Sequence, residues 1–436
     1  MIILGESREG VYIMKQVTEM TREELLTFKE EVQKQYEEFK AQGLKLDMSR
    51  GKPAAAQLDL TNGLFSALDD YHTESGLDAR NYGVLDGIPE AKKLFSELLG
   101  IPAEKIIVGG SSSLNLMYDA LTRLMLFGTQ GEKPWKDVPG IKWLCPSPGY
   151  DRHFAVTQDM GIEMIPVPMR ADGPDMDVVE KLVAEDETIK GMWCVPLHSN
   201  PLGACCSDET VDRLASMKTA AKDFRIFWDN AYGVHHIYED VPLKDIFEAA
   251  AACGNEDRII SFFSTSKITF PGAGIAILAS SLSNIAEIKK HMTVQTIGHD
   301  KLNQLRHVKY FKNADGIRAH MKKLGEALKP KFDMVLDTLK SELGGTGLAS
   351  WVTPRGGYFV ALDTLPGCAK RTVALAKEAG VTMTGAGATW PYGKDPKDSN
   401  IRIAPTFPTL DELDKAIHLF CLCVKLAGVE KLLEEK

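Results

Sequence analysis

The sequence predicts an α/β fold: a large domain with a seven-stranded, mostly parallel sheet, and a smaller α+β domain beside it. Three observations predict it. Seven short apolar runs fall between about residues 105 and 281, several of them joined by helix-length segments. The runs do not alternate apolar with polar residues, which suits strands buried on both faces. Charged helical sequence and a final α+β stretch follow, too short for a second large domain.

In chain order, residues 1–20 read as a loose tail. A helix is expected over 22–42, where Leu25, Phe28, Val32, Tyr36 and Phe39 recur at three- and four-residue steps. Thr21 and Glu24 form a capping-box pattern before it. With the irregular Ser49-Arg50-Gly51-Lys52-Pro53, residues 21–55 make the first part of the small domain. Residues 56–320 make the large domain, with strands over 105–108, 142–145, 163–167, 191–196, 225–228, 259–263 and 274–279. Residues 282–343 are helical. Residues 321–436 complete the small domain, with strands near 356–362 and 401–404 and a helix over 410–427.

Composition narrows the function. Of 436 residues, 44% are apolar and 25% charged, which is ordinary for a folded enzyme-sized chain. Lys plus Arg total 51 and Asp plus Glu 60, a net charge of −9, so a nucleic-acid or anionic-membrane footprint is not expected. No apolar run reaches membrane-spanning length. The N-terminus is apolar for only four residues, unlike a secretory signal. Eight cysteines without a C-x-x-C pair read as reduced thiols, and a cytoplasmic location is expected. His235, His236, His291, His299, His307 and His320 show no ligand spacing, so no metal is expected.

In open α/β sheets, ligands bind beyond the carboxyl ends of the strands. After 105–108 comes Gly109-Gly110-Ser111-Ser112-Ser113, which suits either an anion cradle or plain helix capping. After 142–145 comes Tyr150, an aromatic able to stack on a flat ligand or simply to pack in a turn. Asn200 follows the strand over 191–196, with a free amide or an ordinary Asn-Pro turn as its two readings. Asp229 and Tyr232 follow 225–228; a carboxylate there needs a partner such as a protonated ring nitrogen. Lys267 follows 259–263, where desolvation favours a nucleophilic amine, although a loop lysine is the commoner case. Together these five strand ends supply what pyridoxal phosphate needs at its phosphate, ring face, phenolic oxygen, ring nitrogen and aldehyde.

At that point the chain resembles the class I, fold-type I pyridoxal-phosphate-dependent aminotransferases, from about residue 20 to the end. The motifs are Asn200-Pro201-x-Gly203, Asp229-x-Ala231-Tyr232, Ser264-x-Ser266-Lys267 and Asn400-Ile401-Arg402-Ile403. Met48-Ser49-Arg50-Gly51-Lys52-Pro53 and Trp390-Pro391-Tyr392-Gly393 resemble the bacterial subgroup Ic aspartate aminotransferases. The resemblance implies that Lys267 forms the internal aldimine and that Asp229 pairs with the pyridinium nitrogen. It implies that Tyr232 and Asn200 hold the phenolic oxygen, Tyr150 stacks on the ring, and Ser111, Ser112 and Ser264 bind phosphate. Arg402 would take the substrate α-carboxylate, with Asn200 and Gly51 beside it. Tyr82 would reach the cofactor phosphate of a neighbouring subunit, which implies a homodimer.

The implied reaction is ping-pong transamination between L-aspartate and 2-oxoglutarate, giving oxaloacetate and L-glutamate. Other amino-acid substrates, or a lyase reaction on the same fold, are the alternatives. A non-catalytic regulator would need a DNA-reading domain before residue 20, and a nicotinamide dehydrogenase would need a glycine fingerprint that is missing. One departure stands out. The family's phosphate-binding arginine is replaced by Ala273, so other donors must serve there. The sequence offers Arg50, Lys52, Arg80, Arg152, Lys301 and Arg306 as cations for a second substrate carboxylate, without choosing among them.

Overall fold

The computed structural model describes Leu4–Gly5 and residues 13–436. The first long element is helix α1, Arg22–Lys40, two residues shorter than expected. Its capping box forms as the sequence indicates. The Glu24 amide donates to Thr21 Oγ1 at 3.3 Å, and the Thr21 amide donates to Glu24 Oε2. Leu25, Val32 and Tyr36 lie on its buried face. Half of residues 1–20, read as a loose tail, lie outside the described residues. Val17 and Met20, at the end of that segment, are buried in the same core as α1.

The large sheet comprises β1 (Ile106–Val108), β2 (Lys142–Ser147), β3 (Glu163–Arg170), β4 (Gly173–Pro174), β5 (Ile189–Cys194), β6 (Arg225–Asp229), β7 (Ile259–Ser264) and β8 (Ala276–Ser280). All seven expected strands are present, and the two-residue β4 adds an eighth as a hairpin on β3. The spatial order is β1-β8-β7-β6-β5-β2-β3-β4. Pairings β7–β6, β6–β5, β5–β2 and β2–β3 are parallel, whereas β8 runs antiparallel to both β7 and β1.

Side chains leave this sheet alternately to two apolar layers. From β6, Ile226 and Trp228 enter one core and Phe227 the other; from β5, Met192 and Cys194 enter one and Trp193 the other. Both faces are therefore covered, which is why these strands read as unbroken apolar runs.

Helix α2 (Ser113–Phe127) leaves β1, and helix α3 (Asp151–Asp159) leaves β2. Helix α4 (Ala314–Leu343) connects the two domains. Its Ile317, Met321 and Leu324 pack in the large-domain core, and its Leu328, Phe332 and Val335 in the small-domain core. The apolar surroundings thus change between Leu324 and Leu328, just beyond the division expected at residue 320.

The small domain packs α1 and α5 (Leu410–Glu435) against the end of α4 and a three-stranded antiparallel sheet. That sheet is β9 (Ala349–Trp351), β10 (Val360–Thr364) and β11 (Asn400–Ile403). Helix α5 continues eight residues past the expected end at 427. Gly428 does not stop it, because a Cβ there would meet Leu348 at 2.8 Å: the glycine permits a close approach. Val429 and Leu432 beyond it are buried and hold the last turns.

Candidate active site

The carboxyl ends of β1, β2, β5, β6 and β7 meet around one cleft of about 150 Å³, lined by Ser112, Ser113, Tyr150, Asn200, Asp229, Tyr232, Ser264, Ser266 and Lys267 among others. The parallel strands all point their carboxyl ends to this edge, so loops remote in sequence converge there.

Asp229 ends β6 and is buried. Its Oδ2 lies 2.9 Å from His153 Nε2. The His153 ring stacks on Trp193 at 4.2 Å and 6°, and Trp193 Nε1 donates to Thr157 Oγ1 at 2.8 Å. One carboxylate oxygen is thereby fixed through two packed rings. The other, Oδ1, is buried with no hydrogen-bond partner among the described residues. A buried anionic oxygen without a donor is costly, so this atom calls for a cationic N–H from a ligand.

Lys267 follows β7. Its Nζ lies 5.1 Å from the centroid of the Tyr232 ring and 5.8 Å from that of Tyr358. Burial lowers its pKa; Asp229 opposes that shift and Arg402 adds to it. A population of neutral amine is thus favoured, the form that attacks a carbonyl or accepts a proton. Tyr150 is pushed up to about 12 by burial, then by Asp229 and Asp151. Tyr232 is raised further in the same direction, again mainly by burial. Both phenols stay protonated at neutral pH and are able to donate hydrogen bonds.

The serine loop decides one ambiguity left by the sequence. Ser112 is the N-cap residue of α2, yet its hydroxyl makes no capping hydrogen bond. Simple helix capping therefore does not explain it. A hydroxyl and the open end of a fifteen-residue helix face the cleft, an arrangement that suits an anion. Ser264 Oγ donates to Ser266 Oγ at 3.2 Å, and Ser266 Oγ donates to the Ser111 carbonyl at 3.4 Å. Ser111 itself is exposed and does not line the cleft. Ala273 lies in the turn Pro271–Ala273, and its carbonyl accepts from Asn303 Nδ2 at 3.0 Å.

Arg402 comes from the small domain, on β11, and is 7% exposed. Its Nη1 donates to Asn200 Oδ1 at 3.2 Å and to Asp151 Oδ1 at 2.9 Å. Its Nε donates to Thr384 Oγ1 at 3.4 Å. The guanidinium carbon lies 5.0 Å from the centroid of the Phe359 ring. Gly51 stands behind that ring, where a Cβ would come within 2.4 Å of Phe359 Cζ.

The structure thus brings Ser112, Tyr150, Asn200, Asp229, Tyr232, Ser264 and Lys267 to one cleft, with Arg402 bonded to Asn200 at its edge. Gly51 acts one layer back. Tyr82 is 81% exposed and does not line the cleft of its own chain. Sequence reasoning did not single out Ser113, Ser266, Asp151 or Thr384, and for His153, three residues after Tyr150, a place near the ligand and an ordinary core or surface histidine are equal readings. Two signals were present. Ser266 sits in the Ser-x-Ser-Lys motif, and His153 follows Tyr150 by one helical turn. Asp151 lies in the segment Pro148-Gly149-Tyr150-Asp151-Arg152-His153-Phe154, which also resembles subgroup Ic, but no role for it was legible; nothing in the sequence pointed to Thr384. None of the six candidate cations for a second carboxylate lines the cleft. Among them, Lys52 lies over the Phe407 ring, Arg80 pairs with Asp78 and Lys301 bonds the Gly83 carbonyl. No group of three or more His, Cys, Asp or Glu suited to a metal occurs among the described residues.

The donor set fits pyridoxal phosphate: an unpaired buried carboxylate oxygen for the ring nitrogen, free hydroxyls at a helix end, and a desolvated lysine.

The aspartate amino-transferase family profile matches residues 20–436. A putative aminotransferase of Mycolicibacterium smegmatis is 51% identical over 421 residues, covering 95% of this chain and 98% of that one. The aspartate aminotransferase of Corynebacterium glutamicum is 45% identical over 407 residues, covering 92% and 94%. The crystal structure of an aspartate transaminase from Corynebacterium glutamicum superposes with a TM-score of 0.94 at 44% identity, covering 96% and 99%. An α-aminoadipate aminotransferase of Thermus thermophilus shares the fold, with a TM-score of 0.72 at 19% identity, covering 89% and 93%. The chain therefore belongs to the aspartate amino-transferase family and is an aminotransferase of the pyridoxal-phosphate-dependent fold-type I class.

Proposed function

We propose that the protein transfers the amino group of L-aspartate to 2-oxoglutarate, giving oxaloacetate and L-glutamate in two ping-pong half-reactions. The observation that carries the reading is that one cleft joins a desolvated lysine and a carboxylate with an unpaired buried oxygen, with a buried arginine from the other domain bonded to Asn200 at its edge. The choice of aspartate is supported by the relatives named above, since no cation for a second carboxylate stands in the cleft.

Asp229 Oδ1 would receive the ring N–H of pyridoxal phosphate, with Oδ2 held by His153. Tyr150 would lie against the ring face, and Tyr232 and Asn200 would hydrogen-bond the phenolic oxygen. Ser112, Ser113, Ser264 and Ser266 would offer hydroxyls to the phosphate in place of the absent arginine. Arg402 would grip the substrate α-carboxylate, for which guanidinium geometry is suited. When bound, the cofactor supplies an electron sink for the charge that develops at the substrate Cα. Lys267 Nζ, its pKa lowered by desolvation, would take the Cα proton as general base. Tyr82, too exposed for its own chain's site, would serve the partner subunit of a homodimer. Exposed Phe65, Val294 and Ile297 support such an interface.

The test is the visible spectrum of the cofactor-loaded protein. L-Aspartate alone should abolish the long-wavelength band, and 2-oxoglutarate should restore it. A band that aspartate leaves unchanged removes aspartate as substrate. Full turnover by a Lys267→Ala variant removes the proposed chemistry.

A further inference from the structure

Arg402 is already paired before any substrate arrives. Its Nη1 donates to Asp151 Oδ1 at 2.9 Å, while the Asp151 side chain is one-third exposed at the cleft rim. Asp151 is the first residue of α3, directly after Tyr150, and so belongs to the other domain from Arg402. The guanidinium has few other partners: Asn200 Oδ1 shares Nη1, and Thr384 Oγ1 takes Nε at 3.4 Å. A carboxylate thus occupies one of the N–H positions that a bidentate ligand carboxylate would use.

We propose that Asp151 is an internal competitor of the substrate: a carboxylate that pairs with Arg402 in the free enzyme and must be displaced by the substrate carboxylate. This rests on the reading of Arg402 as the substrate-carboxylate site. Three physical points support it. Two carboxylates cannot share one donor without repulsion, so Asp151 opposes every carboxylate ligand that engages Nη1. Its partial exposure lets it swing into water at small cost once displaced, whereas Arg402, almost fully buried, needs an anion at all times. The pair also spans the two domains, so its exchange for a substrate carboxylate changes the contacts across the cleft.

Asp151 therefore weakens carboxylate binding in general and favours ligands that engage both guanidinium edges at once. It also keeps Arg402 neutralised and in place between turnovers, which hastens product release.

Calorimetric titration of the cofactor-loaded enzyme with succinate tests this, since succinate has no amino or oxo group to react. Asp151→Asn keeps the side-chain size and removes the charge, and Asp151→Ser keeps a helix-start residue. Both should bind succinate roughly three- to tenfold more tightly at low salt, as for a partly screened charge pair. Unchanged or weaker binding in both variants overturns the proposal and leaves Asp151 a structural partner of Arg402. Arg402→Leu separates the underlying reading. If it loses succinate binding while the Asp151 variants bind no more tightly, only the present inference fails. If it still binds succinate as the parent does, Arg402 is not the carboxylate site and both readings fall.

Discussion

Substituting Gly51 by alanine tests how the small domain holds Arg402. A Cβ at Gly51 would lie 2.4 Å from Phe359 Cζ and 2.7 Å from Cε1. Comfortable carbon contacts begin near 3.5 Å, so the ring must retreat by about 1 Å. Phe359 is buried, and the guanidinium carbon of Arg402 lies 5.0 Å from the ring centroid. Overpacking of this kind costs about 1–3 kcal/mol. Gly51→Ala should therefore lower the melting temperature of the cofactor-free protein. It should also raise KM for aspartate, because the support of Arg402, the arginine proposed to bind the substrate carboxylate, has moved. The decisive assay repeats the change in a Phe359→Leu background. Leucine lacks the ring atoms that the new methyl would strike, so there Gly51→Ala should cost at least about 1 kcal/mol less. Neighbours that share a clash are non-additive, whereas independent sites add within about 0.5 kcal/mol. Equal cost of Gly51→Ala in the two backgrounds would refute the argument that the glycine is there to admit Phe359.

Three further outcomes are expected. Ser112→Ala should weaken cofactor binding about 10- to 100-fold in Kd, the loss of one hydrogen bond to a charged group, read by equilibrium titration. The cofactor-free melting temperature should not move, because the Ser112 hydroxyl does not cap its helix. His153→Phe keeps an aromatic ring on Trp193 but leaves Asp229 without its donor; kcat should fall about 10- to 100-fold while KM changes little. The third concerns pH. The Lys267 amine has a lowered pKa in the folded protein, so between that value and the unfolded value the unfolded chain holds more protons and stability rises with pH. Below that window the folded state carries the whole penalty of a buried charge. Lys267→Met should therefore stabilise the cofactor-free protein at neutral and lower pH, and the gain should shrink as pH approaches the ordinary lysine value. A gain that is constant with pH would contradict the desolvation of Lys267.

The sequence by itself determined the sheet and which candidate site residues stand at the ends of its strands. Strands buried on both faces must be apolar throughout, so β1 to β8 announced themselves except for the two-residue β4, whose single hairpin pairing leaves no pattern to read. Site residues that directly follow those strands were legible for the same reason: strand ends fix where Asp229 and Lys267 stand, whatever the rest of the chain does. The capping box of α1 was legible because it is a local device closed within four residues.

What only the tertiary structure decided are contacts between segments far apart in the chain. Gly428 resembles a helix end until Leu348 is seen to fill the space beside it. Ser112 could cap or bind until its hydroxyl is seen making no cap. His153 gains meaning only from Asp229, 76 residues away, and Asp151 only from Arg402, 251 residues away. Local propensity and periodicity are written in neighbouring residues. The pairing of two charges across a domain cleft depends on where folding brings the two chain segments, and no spacing along the sequence encodes it.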